Sequence, residues 1–64
     1  MIKYVLYIWN ADLNTFCYFE QVDYQAKIVE GDKIRLRMCK YQVVNVEHDF
    51  DANVVDLYLK EEEI

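Results

Sequence analysis

Apolar positions along the chain either alternate with polar ones or run together over five short stretches, separated by polar turns. The first stretch, Ile2 to Trp9, is almost unbroken and rich in β-branched and aromatic residues, which favours extended chain over helix. Ile2, Tyr4, Leu6 and Ile8 fall on one face and Lys3, Val5, Tyr7 and Trp9 on the other. The second face turns apolar after Lys3. The strand is therefore expected either to be central and buried on both sides, or to leave an aromatic surface partly exposed. Asn10 to Thr15 reads as a turn, because Asn and Asp tolerate left-handed geometry and hydrogen-bond their own backbone. Thr15 to Val22 reads as a second strand, with Phe16 and Tyr18 on one face and Cys17 and Phe19 on the other, forming an antiparallel hairpin with the first.

Asp23 to Ile28 is too short for more than a turn or two of helix and is expected to be an irregular connection or a short helical turn. Gly31, the only glycine, follows in Val29-Glu30-Gly31-Asp32 and is expected to supply a structural turn with a backbone angle that other residues avoid. A phosphate-binding loop would need more glycines and a following helix. Lys33 to Met38 alternates cleanly, with Ile34, Leu36 and Met38 inward and Lys33, Arg35 and Arg37 outward. In the next strand, Tyr41 to His48, the adjacent Val43 and Val44 break the alternation and indicate a β-bulge or a bend. Val54 to Leu59 is the fifth strand, with Val55, Leu57 and Leu59 on one face and Val54, Asp56 and Tyr58 on the other. Residues 1–60 are expected to form one domain, with 61–64 an acidic tail held off by like-charge repulsion.

Five short strands in so small a chain imply an all-β fold, a strongly bent antiparallel sheet or a partly open barrel, because bending is how such a sheet encloses a core. The segments Glu30-Gly31-Asp32-x-Ile34-x-Leu36, Tyr41-x-Val43-x-x-Val46-x-His48-Asp49 and Val55-Asp56-Leu57-Tyr58-Leu59 resemble small bacterial and phage SH3-like barrel proteins of unknown function. The resemblance covers about the C-terminal half and lacks a proline before the glycine. It rests on core and turn positions, so it implies a fold rather than an activity.

The composition adds constraints. With 64 residues the core is small, and no proline, metal motif or paired-cysteine spacing staples it. The net charge of −5 disfavours general adhesion to phosphate backbones. That charge is uneven: residues 27–40 carry Lys27, Lys33, Arg35, Arg37 and Lys40 against Glu30 and Asp32, a local +3, and the remainder is −8. Ile2 to Trp9 is too short for a membrane span and lacks a signal-peptide cleavage site, so no membrane association and a cytoplasmic location are expected.

Catalytic chemistry finds no constellation. His48, the only histidine, has no serine anywhere in the chain to activate, and a surface histidine at a turn is the plainer reading. Asp49-Phe50-Asp51-Ala52-Asn53 begins like a calcium loop, but Val54 stands where the loop needs glycine and Lys60 where it needs glutamate. Cys17 and Cys39 read as reduced core residues. No enzyme activity, cofactor or metal is therefore expected. Two surfaces remain. Ten aromatic residues exceed what so small a core can readily cover, and Tyr7 and Trp9 share the face least certain to be internal. They make a partner-binding surface for a protein partner or for self-association, against the plainer reading of tyrosines covering core edges. The Lys33, Arg35 and Arg37 stripe, with a pitch of about 6.5–7 Å on a strand, is the alternative, a single-stranded nucleic-acid surface; its plainer reading is a solvated strand face. The acidic total favours the first: a non-catalytic protein-interaction module.

Overall fold

A computed structural model of the chain describes residues 1–62 and contains five strands and no helix. They are β1 (Ile2–Asn10), β2 (Thr15–Tyr24), β3 (Lys33–Leu36), β4 (Cys39–Asp49) and β5 (Val54–Glu61). They form a single sheet in the order β2-β1-β5-β4-β3, curled into a half-barrel. The all-β, strongly bent, partly open architecture is the one the sequence implies. The sheet is mixed rather than wholly antiparallel, because β1 and β5 pair in parallel. The reason is arithmetical. Consecutive strands alternate in direction, so the first and fifth run the same way, and they are neighbours.

Two bulges help curl the sheet. Val43 pairs with Leu59 and Asn45 with Tyr58, leaving Val44 as the extra residue, as the broken alternation suggested. Leu6 pairs with Glu20 and Tyr7 with Tyr18, leaving Phe19 extra on β2. The concave face carries the core of Tyr4, Leu6, Tyr41, Val43, Leu57 and Leu59, ringed by Ile2, Ile8, Phe19, Val22, Ile28, Ile34 and Leu36 among others. Each large apolar side chain fully buried contributes about 1.5–3 kcal/mol.

The connection from β2 to β3 is irregular and non-helical, and Tyr4 fixes it. Its buried hydroxyl donates to Ala26 O at 2.9 Å and accepts from Ile28 N–H at 3.0 Å, drawing this loop over one end of the core. Gly31 adopts φ 95°, and its N–H donates to Val43 O at 2.8 Å. Val43 N–H in turn donates to Asp32 O at 2.8 Å, so the glycine turn docks onto β4 just before β3 begins.

The bounds of all five strands differ from those the sequence suggests; β1 runs on to Asn10, and β4 spans Cys39–Asp49 rather than Tyr41 to His48. β3 ends at Leu36, because Arg37 and Met38 both take positive φ, 52° and 67°, in a two-residue hairpin turn. β2 continues to Tyr24. β5 extends through Glu61, the first residue assigned to the tail, and beyond the strand Glu62 N–H donates to Lys40 O at 2.8 Å. Residues 63–64 of that tail lie outside the described residues.

Candidate functional site

The convex face of the sheet is built in rows by the strand register. Residues two apart on a strand share a face, and the pairing sets them beside their neighbours. One row runs Gln21, Val5, Asp56, Glu47; the next runs Tyr18, Tyr7, Tyr58, Asn45. Beyond these, Phe16 pairs with Trp9 on one side and Lys60 with Gln42 on the other.

Five aromatic rings therefore meet on the side of the sheet away from the core. Tyr7 and Tyr58 stack with centroids 5.2 Å apart and an interplanar angle of 16°. Tyr18 meets Tyr7 edge-on at 6.2 Å, and Phe16 meets both Tyr58 and Trp9 edge-on at 5.1 Å. Lys60 Nζ lies 5.2 Å from the centre of the Trp9 ring, a cation–π contact. Tyr7, Trp9, Phe16 and Tyr58 are half-buried, largely against one another, and Tyr18 is 64% exposed. The structure thus brings Tyr7 and Trp9 onto one face and adds Phe16, Tyr18 and Tyr58, which the sequence reading did not single out.

Next to the rings stands an acidic group. Asp56 is 9% exposed, pairs across the strands with Glu47, and accepts no hydrogen bond from any described residue. Burial raises its carboxyl above the ordinary range, and the charges of Asp49 and Glu47 add to that. Burial, with nearby carboxylates adding to it, likewise raises the phenols of Tyr7 and Tyr58. Asp49 Oδ1 accepts Ala52 N–H at 3.0 Å, which accounts for the turn whose start resembles a calcium loop. Among the described residues, neither Lys3 nor Lys60, the basic residues of this face, makes an ion pair with Glu47, Asp49 or Asp56.

The basic stripe is arranged otherwise than alternation suggests. Lys33 Nζ is 3.3 Å from Glu62 Oε1. Arg37 is a turn residue rather than a strand residue, and its guanidinium lies 5.0 Å from the Phe19 ring centre and 2.9 Å from Glu20 Oε1. Two of the three cations are thus engaged within the molecule, and they do not project in file from one strand. Arg35 borders a cleft of about 510 Å³ between the two sheet edges, β2 and β3, with Val22, Ile28, Ile34 and Leu36 on its walls and Leu6 and Leu57 at its floor. His48 is exposed, its ring 6.2 Å from that of Phe50. Cys17 and Cys39 are both free and half-buried. Among the described residues, no helix is long and apolar enough to cross a membrane. No family model matches the chain, and neither a curated protein nor a solved structure matches it.

Proposed function

We propose that this protein is a non-catalytic interaction module that docks another polypeptide through the aromatic convex face of its sheet. The observation that carries this reading is the cluster of Tyr7, Trp9, Phe16, Tyr18 and Tyr58 on the side of the sheet away from the core. Aromatic rings are enriched in interface centres, where they add large contact area at small conformational cost. Here they are already ordered against one another, so docking would immobilise little that is free. Carboxylates of Asp56, Glu47 and Asp49 lie at one end of the cluster and Lys60 at the other, polar groups that help keep the unpartnered face in water.

A second copy of the chain is the first partner to test, since it needs no unknown component. Sedimentation over a concentration series, with the Tyr and Trp ring signals followed by NMR over the same range, reads both mass and location. Concentration-dependent shifts confined to the five rings support docking through this face. A constant monomer mass, with rings unmoved by any peptide or by the protein itself, removes the reading.

A further inference from the structure

We infer that the occupant of this face is a basic segment of another protein, and that it places an arginine or lysine side chain between the Tyr7–Tyr58 stack and the paired carboxylates of Asp56 and Glu47. The inference rests on the docking reading above and names its partner's chemistry.

Three observations converge on it. First, Asp56 is nine-tenths buried and without a hydrogen-bond partner among the described residues, on the row of the sheet directly beside the stacked tyrosines. Its oxygens are not among the buried, unpartnered atoms, so the carboxylate is only partly desolvated and is still reachable from outside, and a cation arriving there would offset that desolvation. Second, Glu47 faces it across the strand pair and Asp49 lies one row beyond, so three like charges crowd one end of the face. Third, the row beside the carboxylates is aromatic, Tyr7 stacked on Tyr58, and aromatic rings are groups to which a guanidinium or ammonium is attracted. The face already shows this affinity internally, where Lys60 sits over Trp9. Carboxylate beside aromatic is a combination that suits an organic cation. Among the described residues, no group of three or more acidic, histidine or cysteine side chains is arranged to hold a metal ion. The net charge of −5 sets two copies against each other and attracts a basic segment.

The test uses the intact protein and an acetylated, amidated pentapeptide with glycine at positions one, three and five and arginine at two and four. Its control carries citrulline, neutral and nearly isosteric, at the same two positions. The expected result is saturable movement of the Tyr7 and Tyr58 ring signals by the arginine peptide, with binding on the order of tenfold weaker for citrulline. Asp56→Asn and, as a second variant, Glu47→Gln weaken the arginine peptide by a similar factor. Asp12→Asn, which removes the same charge from the exposed first turn, leaves it unchanged. Equal weakening by Asp56→Asn and Asp12→Asn means attraction to net charge alone and overturns the inference. Equal binding of the two peptides at the rings overturns it too, while leaving the docking reading in place. Ring movement with protein concentration alone makes a second copy the occupant, with the same consequence. Rings that respond to none of these overturn both.

Discussion

Arg37 and Glu20 belong to opposite margins of the sheet, yet their side chains meet at 2.9 Å across the open side of the half-barrel. Glu20 lies on β2 and Arg37 in the turn that ends β3, the two strands left without a neighbour on one side. Unpaired edges invite association with other chains, and a charged side chain laid across the gap obstructs it. The contact is ionic: Glu20 Oε1 is itself buried and is not met by the guanidinium N–H groups at hydrogen-bonding angles. The Phe19 ring, thrown out of register by the β2 bulge, supports the same guanidinium from beneath.

Removing either partner is expected to destabilise the fold modestly, since Arg37 remains largely exposed to water. A double-mutant cycle of Arg37→Ala and Glu20→Ala should give a coupling of about 0.5–1 kcal/mol that shrinks in high salt. Urea unfolding midpoints of the four proteins measure it. A coupling of zero would mean that the pair does not brace the opening.

The same turn makes a second expectation with the opposite sign. Arg37 and Met38 both occupy left-handed backbone, a conformation that costs an ordinary residue about 1–2 kcal/mol. The Met38 side chain is 96% exposed and gives up nothing when deleted. Met38→Gly should therefore stabilise the protein by about 1 kcal/mol, because glycine suits the second position of this turn type. Gly31→Ala should do the reverse by about the same amount: φ is 95°, while a Cβ there meets no atom within 4 Å, so the loss is purely conformational. Thermal melts of the two variants should move in opposite directions.

Tyr4→Phe isolates the anchoring of the β2–β3 connection. The ring stays and fills the core, but Ala26 O loses its donor and Ile28 N–H its acceptor. A loss of about 1–3 kcal/mol is expected. Hydrogen exchange at Ile28 should accelerate more than exchange at core amides such as Val43. Uniform acceleration would indicate that Tyr4 serves the core as a whole rather than this loop.

How far the sequence disclosed these features depends on where each is encoded. Alternation located β3, β4 and β5, where one side faces a core, and continuous apolar runs rich in β-branched and aromatic residues located β1 and the start of β2. Alternation also exposed the bulge at Val44, where two valines in a row interrupt the period. The bulge at Phe19 left no such mark: Phe16 to Phe19 are apolar on both faces, so a slipped register changes no pattern. Alternation continues through Arg37 and Met38, and neither has the Asn or Gly identity that announces a left-handed turn, so β3 looked longer than it is. The parallel pairing of β1 with β5 brings together residues about fifty positions apart, and alternation assigns faces, not neighbours. For the same reason β1 alone showed only that Tyr7 and Trp9 share a face, the one least certain to be internal. Phe16, Tyr18 and Tyr58 join them only through register. Asp56 did carry a signal, a lone carboxylate within an otherwise apolar strand, but its partner Glu47 lies on another strand.

Asp56 also ties the docking face to stability. Its folded-state pKa is raised by burial, with Asp49 and Glu47 adding to the shift, so the folded chain holds this proton to a higher pH than the unfolded chain does. Between the ordinary value of 3.8 and the raised one, the folded state binds more protons, and linkage then makes stability fall as pH rises. The contribution is fully present below the unfolded value and is lost once pH has passed through the folded one. At neutral pH the ionised carboxylate is thus a standing strain on the sheet. Asp56→Asn removes the charge and keeps the shape. The variant should be more stable than the parent at pH 7, with the advantage shrinking as the pH falls toward 3. Chemical denaturation of both proteins at several pH values measures this difference, and an advantage independent of pH would place its origin elsewhere than in the charge. A group that weakens the fold when ionised, and that a cationic ligand would satisfy, predicts a trade between the two properties. The substitution that raises the melting temperature should be the one that lowers affinity for the arginine peptide.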